Sequence, residues 1–354
     1  MYYGSLKGLE KKFDVLARKE AFQGKSAEEF VSWQENARKK LWTLLGLDLM
    51  VKVPLSFKIL DRVMLPESIL REKVLICTEE DTYMPFYILI PDSAGKDTRL
   101  FICPAGHQGA GKESVAGNGE IAGVKRMIEY YNYDYALKLA KAGFVAVAPD
   151  PRGFGERRDE AKQTGKEEDI LSSTCFQLAH MAEPLGFTVI GLLVWDLMRL
   201  TQYLVERGEW AVEKLSVLGF SGGGMQSLYF AALEPRIKLA FISGYFYGFK
   251  DSFLVLNGNC SCNYVPSLWR SFDMADIASL IAPRPLVIQS CREDHLNGPR
   301  GMANVEEQYT ILKRSYELLG VPSRLYHDIV SGEHHFSDTN MFLALKIVLE
   351  EENA

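Results

Sequence analysis

Residues Leu215 to Leu233 read L-S-V-L-G-F-S-G-G-G-M-Q-S-L-Y-F-A-A-L. An apolar, partly β-branched run enters a cluster of glycines and leaves as a segment of good helix formers, which reads as strand, sharp turn, helix. So abrupt a turn has no room for Cβ atoms on its flanks, and Gly219 and Gly223 supply that room. Ser221 is then held at the apex with its hydroxyl exposed. The helix behind it turns unpaired N–H groups toward whatever negative charge develops there. Outside a strand-to-helix setting, G-x-S-x-G would be a glycine-rich turn with an incidental serine.

Working outward, the same alternation recurs on both sides. Leu100 to Cys103 precedes a helical pattern over Tyr135 to Ala142, and Phe144 to Ala148 leads through a long loop to Gly186 to Glu206. Downstream, Leu239 to Ser243 pairs with Met274 to Ile281, Pro285 to Gln289 with Val305 to Leu319, and Ser323 to Asp328 with Thr339 to Glu350. Near-continuous apolar strands alternating with helices predict an α/β fold, a mostly parallel central sheet covered by helices on both faces. Before it, Ser56 to Met64, Leu70 to Cys77 and Met84 to Ile90 are β-rich, and two antiparallel strands are expected to lead into the sheet. The first fifty residues read as two helices, the second started by a capping box at Ser26 and Glu29 and stopped at Gly46. The expected organisation is an N-terminal helical extension, 1–50, on one domain, 51–354, with insertions at about 112–131 and 157–184.

Composition narrows the class. Of 354 residues 47% are hydrophobic and 24% charged, enough apolar side chain for a sizeable core. Forty Lys and Arg against 46 Asp and Glu leave a net charge of −6, which argues against a chain-wide affinity for nucleic acid or anionic lipid. The apolar run Val189 to Trp195 is far short of the ~20 residues that span a bilayer, and M-Y-Y-G-S-L-K lacks the apolar stretch of a secretory leader. These features predict a cytoplasmic protein with a small-molecule partner and neither nucleic acid nor membrane. The N-terminal helices are a candidate interface for a second copy. Of six cysteines, Cys77, Cys103, Cys175 and Cys291 lie in or beside apolar runs. Only Cys260 and Cys262 are close together, and a zinc site would want a second pair at ligand spacing, which the sequence lacks. The pair is read as structural, with no metal.

A serine hydroxyl needs a base, and the base an acid to orient it. For a nucleophile in this setting both follow in the chain, acid before histidine. Of the four histidines after Ser221, His295, His327, His334 and His335, the last two fall in S-G-E-H-H-F between a strand and the last helix, where a mobile base belongs. Adjacent side chains diverge, so one of them faces Ser221, and His334 is favoured over His335. His327 lies inside a strand pattern and reads as structural. After the strand P-R-P-L-V-I-Q-S comes C-R-E-D, with Asp294 the favoured acid and Glu293 its nearest rival. The loop A-G-H-Q-G-A-G-K-E after Leu100 to Pro104 offers the backbone N–H of His107 to join that of Gly222 as an oxyanion hole. That loop also matches Gly106-x-x-x-x-Gly111-Lys112 of a phosphate-binding loop, but Glu113 stands where Ser or Thr would hold Mg²⁺ and would repel phosphate.

With these residues on the page, the sequence resembles the α/β-hydrolase superfamily, and within it the acetyl xylan esterase-like group related to dienelactone hydrolases. The resemblance runs from about Leu70 to the C-terminus. It rests on A-P-D-P-R-G-F-G-E-R (148–157), G-F-S-G-G-G (219–224), C-S-C-N-Y-V-P (260–266), F-D-M-A-D-I-A-S-L-I-A-P-R-P-L (272–286) and G-E-H-H-F (332–336). It implies Ser221 as nucleophile, Asp294 as acid and His334 as base. The usual G-x-H-x-F loop selects His334 independently. The familiar H-G after the early strand reads Ala105-Gly106 here.

The combined expectation is a serine carboxylic ester hydrolase working through an acyl-enzyme without cofactor. A small acyl group such as acetyl, on a sugar or similar small ester, is implied by the resemblance alone. A histidine base must start neutral, so the rate should fall as pH drops through the ordinary imidazole range of about 6–7. Tyr245 and Tyr247, after a strand, are candidate sugar contacts, with buried packing as their other reading. A serine peptidase, a dienelactone-type lactone hydrolase and a non-catalytic binding protein remain as alternatives.

Overall fold

A computed structural model describes residues 3–352. Its nine strands are β1 (Phe57–Leu65), β2 (Ile69–Glu79), β3 (Thr82–Pro91), β4 (Arg99–Ile102), β5 (Val145–Pro149), β6 (Ala211–Phe220), β7 (Leu239–Ser243), β8 (Leu286–Cys291) and β9 (Leu325–Val330). They form one sheet in the order β1-β2-β3-β5-β4-β6-β7-β8-β9. From β5 to β9 all neighbours are parallel. Helices must carry the chain back between parallel strands, and so come to cover both faces. Along β4, Leu100 and Ile102 enter one buried core while Phe101 enters the other. Val189–Arg207 and Gly222–Leu233 lie over the first, and Tyr135–Lys141 and Asp338–Glu352 over the second.

Three strands, not two, lead into the parallel part. β1, β2 and β3 form an antiparallel meander, and β3 pairs antiparallel with β5. Left-handed backbone at Glu67, Ser68 and Asp81 makes both hairpin turns with no glycine, so the sequence gives little sign that the runs are joined so tightly.

The two N-terminal helices differ. Ala27–Leu44 buries Phe30, Gln34, Ala37 and Leu41, and Phe30, Ala37 and Leu41 belong to the same core as the strands. The Gln34 amide donates to the carbonyls of Ser279 and Ala282, tying this helix to the turn before β8. Leu6–Leu16 buries none of its residues and is held at its end by an Arg18–Asp276 pair at 2.7 Å. Among the described residues, no single helix is long and apolar enough to cross a membrane.

Candidate active site

β6 delivers Ser221 to the end of the sheet at φ 57° and ψ −122°, a backbone region that costs a non-glycine residue about 1–3 kcal/mol. The neighbouring glycines are required by contact: a Cβ on Gly219 would lie 2.2 Å from the Gly223 carbonyl oxygen, and one on Gly223 would lie 2.1 Å from that of Pro104. The helix Gly222–Leu233 starts at once behind the serine.

His334 joins the two other groups. Its Nε2 is 2.9 Å from Ser221 Oγ, and its Nδ1 is 2.6 Å from Asp294 Oδ2. Asp294 is buried beyond the end of β8, and its second carboxylate oxygen accepts from the Leu296 N–H at 2.8 Å. With both oxygens engaged, the carboxylate fixes which imidazole nitrogen carries hydrogen and which faces the serine. The rivals have other work. His335 faces the Glu333 carbonyl and Cys291. Glu293 accepts from the Gly332 N–H and so anchors the histidine loop. His327 stacks on Tyr309 with ring centres 4.4 Å apart, and burial pushes its pKa down to about 4.

On the opposite flank, the loop after β4 brings His107 against Gly222: a Cβ added to Gly222 would come 2.9 Å from His107 Nδ1. Its carbonyls are pulled inward, Pro104 by the Tyr135 hydroxyl, Ala105 by the Gln226 amide and His107 by the Tyr133 hydroxyl, at 2.6–3.0 Å. Among the described residues, the backbone N–H groups of His107 and Gly222 donate to no protein acceptor. They flank Ser221 as donors for an oxyanion would.

The same loop closes the phosphate-binding alternative. Lys112 is fully buried, paired with Asp150 at 2.8 Å and Glu113 at 3.1 Å and hydrogen-bonded to Glu156. An ammonium so enclosed cannot reach a nucleotide. Asp150 also accepts from the Lys112 N–H at 2.7 Å, and a Cβ at Gly111 would overlap its carboxylate. Arg152 and Arg157, from the same D-P-R-G-F-G-E-R segment, grip buried Asp196. Against the burial that would raise it, these two guanidinium groups hold the Asp196 carboxyl well below the usual range. The motif is therefore an ionic brace behind the site.

One sequence expectation needs correction. Tyr245 and Tyr247 are 3% and 1% exposed, so they have no surface to offer a sugar. An apolar strand end followed by aromatics was core here: Tyr247 packs edge-on to Phe253, and the Tyr245 hydroxyl donates to Asn263 Oδ1 at 2.9 Å. Around Ser221 and His334 the neighbours are instead Tyr131, whose hydroxyl meets Gln108 Oε1 at 3.0 Å, and exposed His295, with Phe220 beneath the His334 ring. Their sequence contexts held no signal for this. The surroundings of Cys260 and Cys262 could not be read along the chain. The donors missing beside them in the chain arrive through space, as Cys175 and the His107 ring. Hydrogen bonds from Cys175 and Cys262 pull the Cys260 thiol below its ordinary value; the bond with Cys260 pushes the Cys175 thiol up, and bonds with Cys175 and Cys260 push the Cys262 thiol up.

The model of the Abhydrolase family matches residues 5–337. The "Putative hydrolase YtaP" of Bacillus subtilis (strain 168) is 27% identical over 279 residues, which is 77% of this chain and 85% of that protein. Among solved structures, a "putative acetyl xylan esterase" from Bacteroides fragilis NCTC 9343 superposes with a TM-score of 0.77 at 18% identity, covering 93% of this chain and 83% of that one. A glucuronoyl esterase from Solibacter usitatus gives 0.68 at 16% identity, covering 95% and 96%. At these identities the two structures establish the α/β-hydrolase fold.

Proposed function

The chain belongs to the Abhydrolase family, and from that premise we propose that it is a serine hydrolase of small carboxylic esters. The observation that carries the reading is His334, which touches Ser221 Oγ at 2.9 Å on one nitrogen and Asp294 at 2.6 Å on the other. Ser221 Oγ attacks the ester carbonyl while His334 Nε2 takes its proton, and Asp294 stabilises the imidazolium. The N–H groups of His107 and Gly222 receive the oxyanion, where each donor is worth about 10²–10³ in rate. The tetrahedral intermediate collapses as His334 protonates the leaving alkoxide. The imidazole, neutral again, activates water to release the acid from Ser221.

An acetyl or similarly small acyl group on a sugar is the substrate class we favour. It is supported by the resemblance of the 148–157 and 260–266 motifs and by the sugar-ester activities in the names of the two similar structures. The test is hydrolysis of p-nitrophenyl acetate and butyrate by the wild type and by Ser221→Ala, with folding followed by circular dichroism. We expect an acetate-preferring activity that falls by about 10⁴-fold or more in a folded variant. An inert wild type, or a variant as active as its parent, would sink the proposal.

A further inference from the structure

Three thiols and an imidazole converge behind the His107 loop. One ligand atom from each of His107, Cys175, Cys260 and Cys262 lies within 4.8 Å of every other. His107 Nε2 is 3.5 Å from Cys262 Sγ and 4.0 Å from Cys175 Sγ. A tetrahedral zinc ion, with bonds of about 2.3 Å to sulfur and 2.0–2.1 Å to nitrogen, sets its ligand atoms about 3.5–3.8 Å apart. The His107–Cys262 separation falls in that range, the His107–Cys175 separation lies just above it, and the others need close by at most about 1 Å.

The surroundings suit an ion. Cys175 and Cys262 are buried, and His107 and Cys260 are half-buried. The Asn263 amide lies 3.5 Å from Cys262 Sγ and also donates to the Cys260 carbonyl at 3.1 Å, while the Tyr245 hydroxyl holds its other end. An N–H aimed at a sulfur is the kind of outer partner that orients a thiolate ligand. Phe154 packs edge-on against the His107 ring, 5.0 Å between centres. Thiols are weak hydrogen-bonding groups, so hydrogen bonds among themselves are a poor reason to gather three of them around one imidazole.

We propose that His107, Cys175, Cys260 and Cys262 bind one structural Zn²⁺ ion. Soft sulfur ligands with one imidazole select zinc over the oxygen-seeking Mg²⁺ and Ca²⁺, and the compact cluster has room for a single ion. Four protein ligands close the coordination shell, so this ion has no open position for substrate or water. Binding releases the thiol protons to solvent, leaving three thiolates around one dication. The ion joins three segments far apart in the chain: the loop after β4, the first residue of the helix Cys175–Ala182, and the turn at Cys260–Cys262. Through the His107 ring it would hold the backbone N–H that faces Ser221, a consequence that alone rests on the ester-hydrolase reading.

The test uses the 354-residue chain purified under reductant without a histidine tag. Bound metal is measured by inductively coupled plasma mass spectrometry, and the protein is then stripped with chelator and titrated with Co²⁺. The expected result is about one zinc per chain and, with cobalt, thiolate-to-metal charge transfer and the intense visible bands of a tetrahedral site. Cys175→Ser and Cys262→Ser lose both signals, and Cys77→Ser, whose thiol lies elsewhere, keeps them. Where a cluster variant fails to fold, the wild-type metal content and cobalt spectrum decide alone. Below about 0.1 zinc per chain with no charge-transfer band, the proposal is wrong. Cluster thiols lost to a disulfide in metal-free protein overturn it equally. If zinc is present and the protein hydrolyses no ester, the metal site stands and the reading of Ser221 falls.

Discussion

Ser221 stands between two flanks built on different physics. On one, Asp294 and His334 hang from the loops after β8 and β9 and meet at 2.6 Å, and His334 meets Ser221 at 2.9 Å. On the other, the loop carrying His107 is pinned by buried groups that touch no reacting atom: Lys112 among its carboxylates, three tyrosine and glutamine contacts to its carbonyls, and the thiol cluster. In the proposed mechanism the first flank changes protonation within each turnover, and its bonds are ones a proton can rearrange. In the same proposal the second holds the His107 N–H still beside that of Gly222 while charge appears and disappears, and its anchors are ones the reaction leaves alone. On that proposal a single site separates the groups that move protons from the groups that keep geometry.

That contrast predicts different signatures for damage. Asp294→Asn should lower kcat by about 10⁴-fold with the melting temperature almost unchanged, because the imidazole adopts the wrong tautomer while the packing survives. A variant that instead melted early would place Asp294 among the anchors. Lys112→Met strands buried carboxylates and should cost about 3–5 kcal/mol of stability in urea unfolding, with loss of activity following loss of fold. Were the variant stable but inactive, Lys112 would belong with the chemistry. The smallest effect concerns His327, outside both flanks. Its folded pKa of about 4 lies below the ordinary 6.5, so the folded state favours the neutral ring. The stability this gives is complete above about pH 6.5 and lost as pH falls toward 4, at most about 3 kcal/mol. His327→Gln should flatten the melting temperature over that window, and an unchanged slope would remove His327 from the acid response.

How much of this was legible in the chain follows the same division. Ser221 is written locally, because glycines are dictated within two residues of it by backbone contacts. His334 and Asp294 are readable from loop position after predicted strands, and the structure brings His334 to Ser221 and Asp294 to His334. The anchoring flank was not. His107 lies 68 residues from Cys175 and 155 from Cys262, distances over which no spacing rule for metal ligands operates. Lys112 follows glycines that match a phosphate-binding loop; Glu113 already argues against that match in the sequence, but the actual role of Lys112, an ion pair buried against Asp150, is visible only in the fold. Tyr245 and Tyr247 misled because an aromatic run after a strand reads alike whether it faces solvent or core. The hairpins of β1 to β3 were under-read because their turns use left-handed non-glycine residues.

The strand order has a consequence for the sequence of events at the ribosome. β6, β7, β8 and β9 are added to the sheet in the order in which they are made, each beside the last. Ser221 emerges with the first of them, while the histidine that touches it lies 113 residues later. At roughly 5–20 residues per second, that interval lasts about 6–20 seconds. Throughout it the nascent chain presents the Ser221 hydroxyl without the His334 ring that touches it in the finished fold. On the proposed mechanism the serine is therefore armed only when the far edge of the sheet has been laid down, and a half-made chain offers its surroundings an alcohol instead of an enzyme.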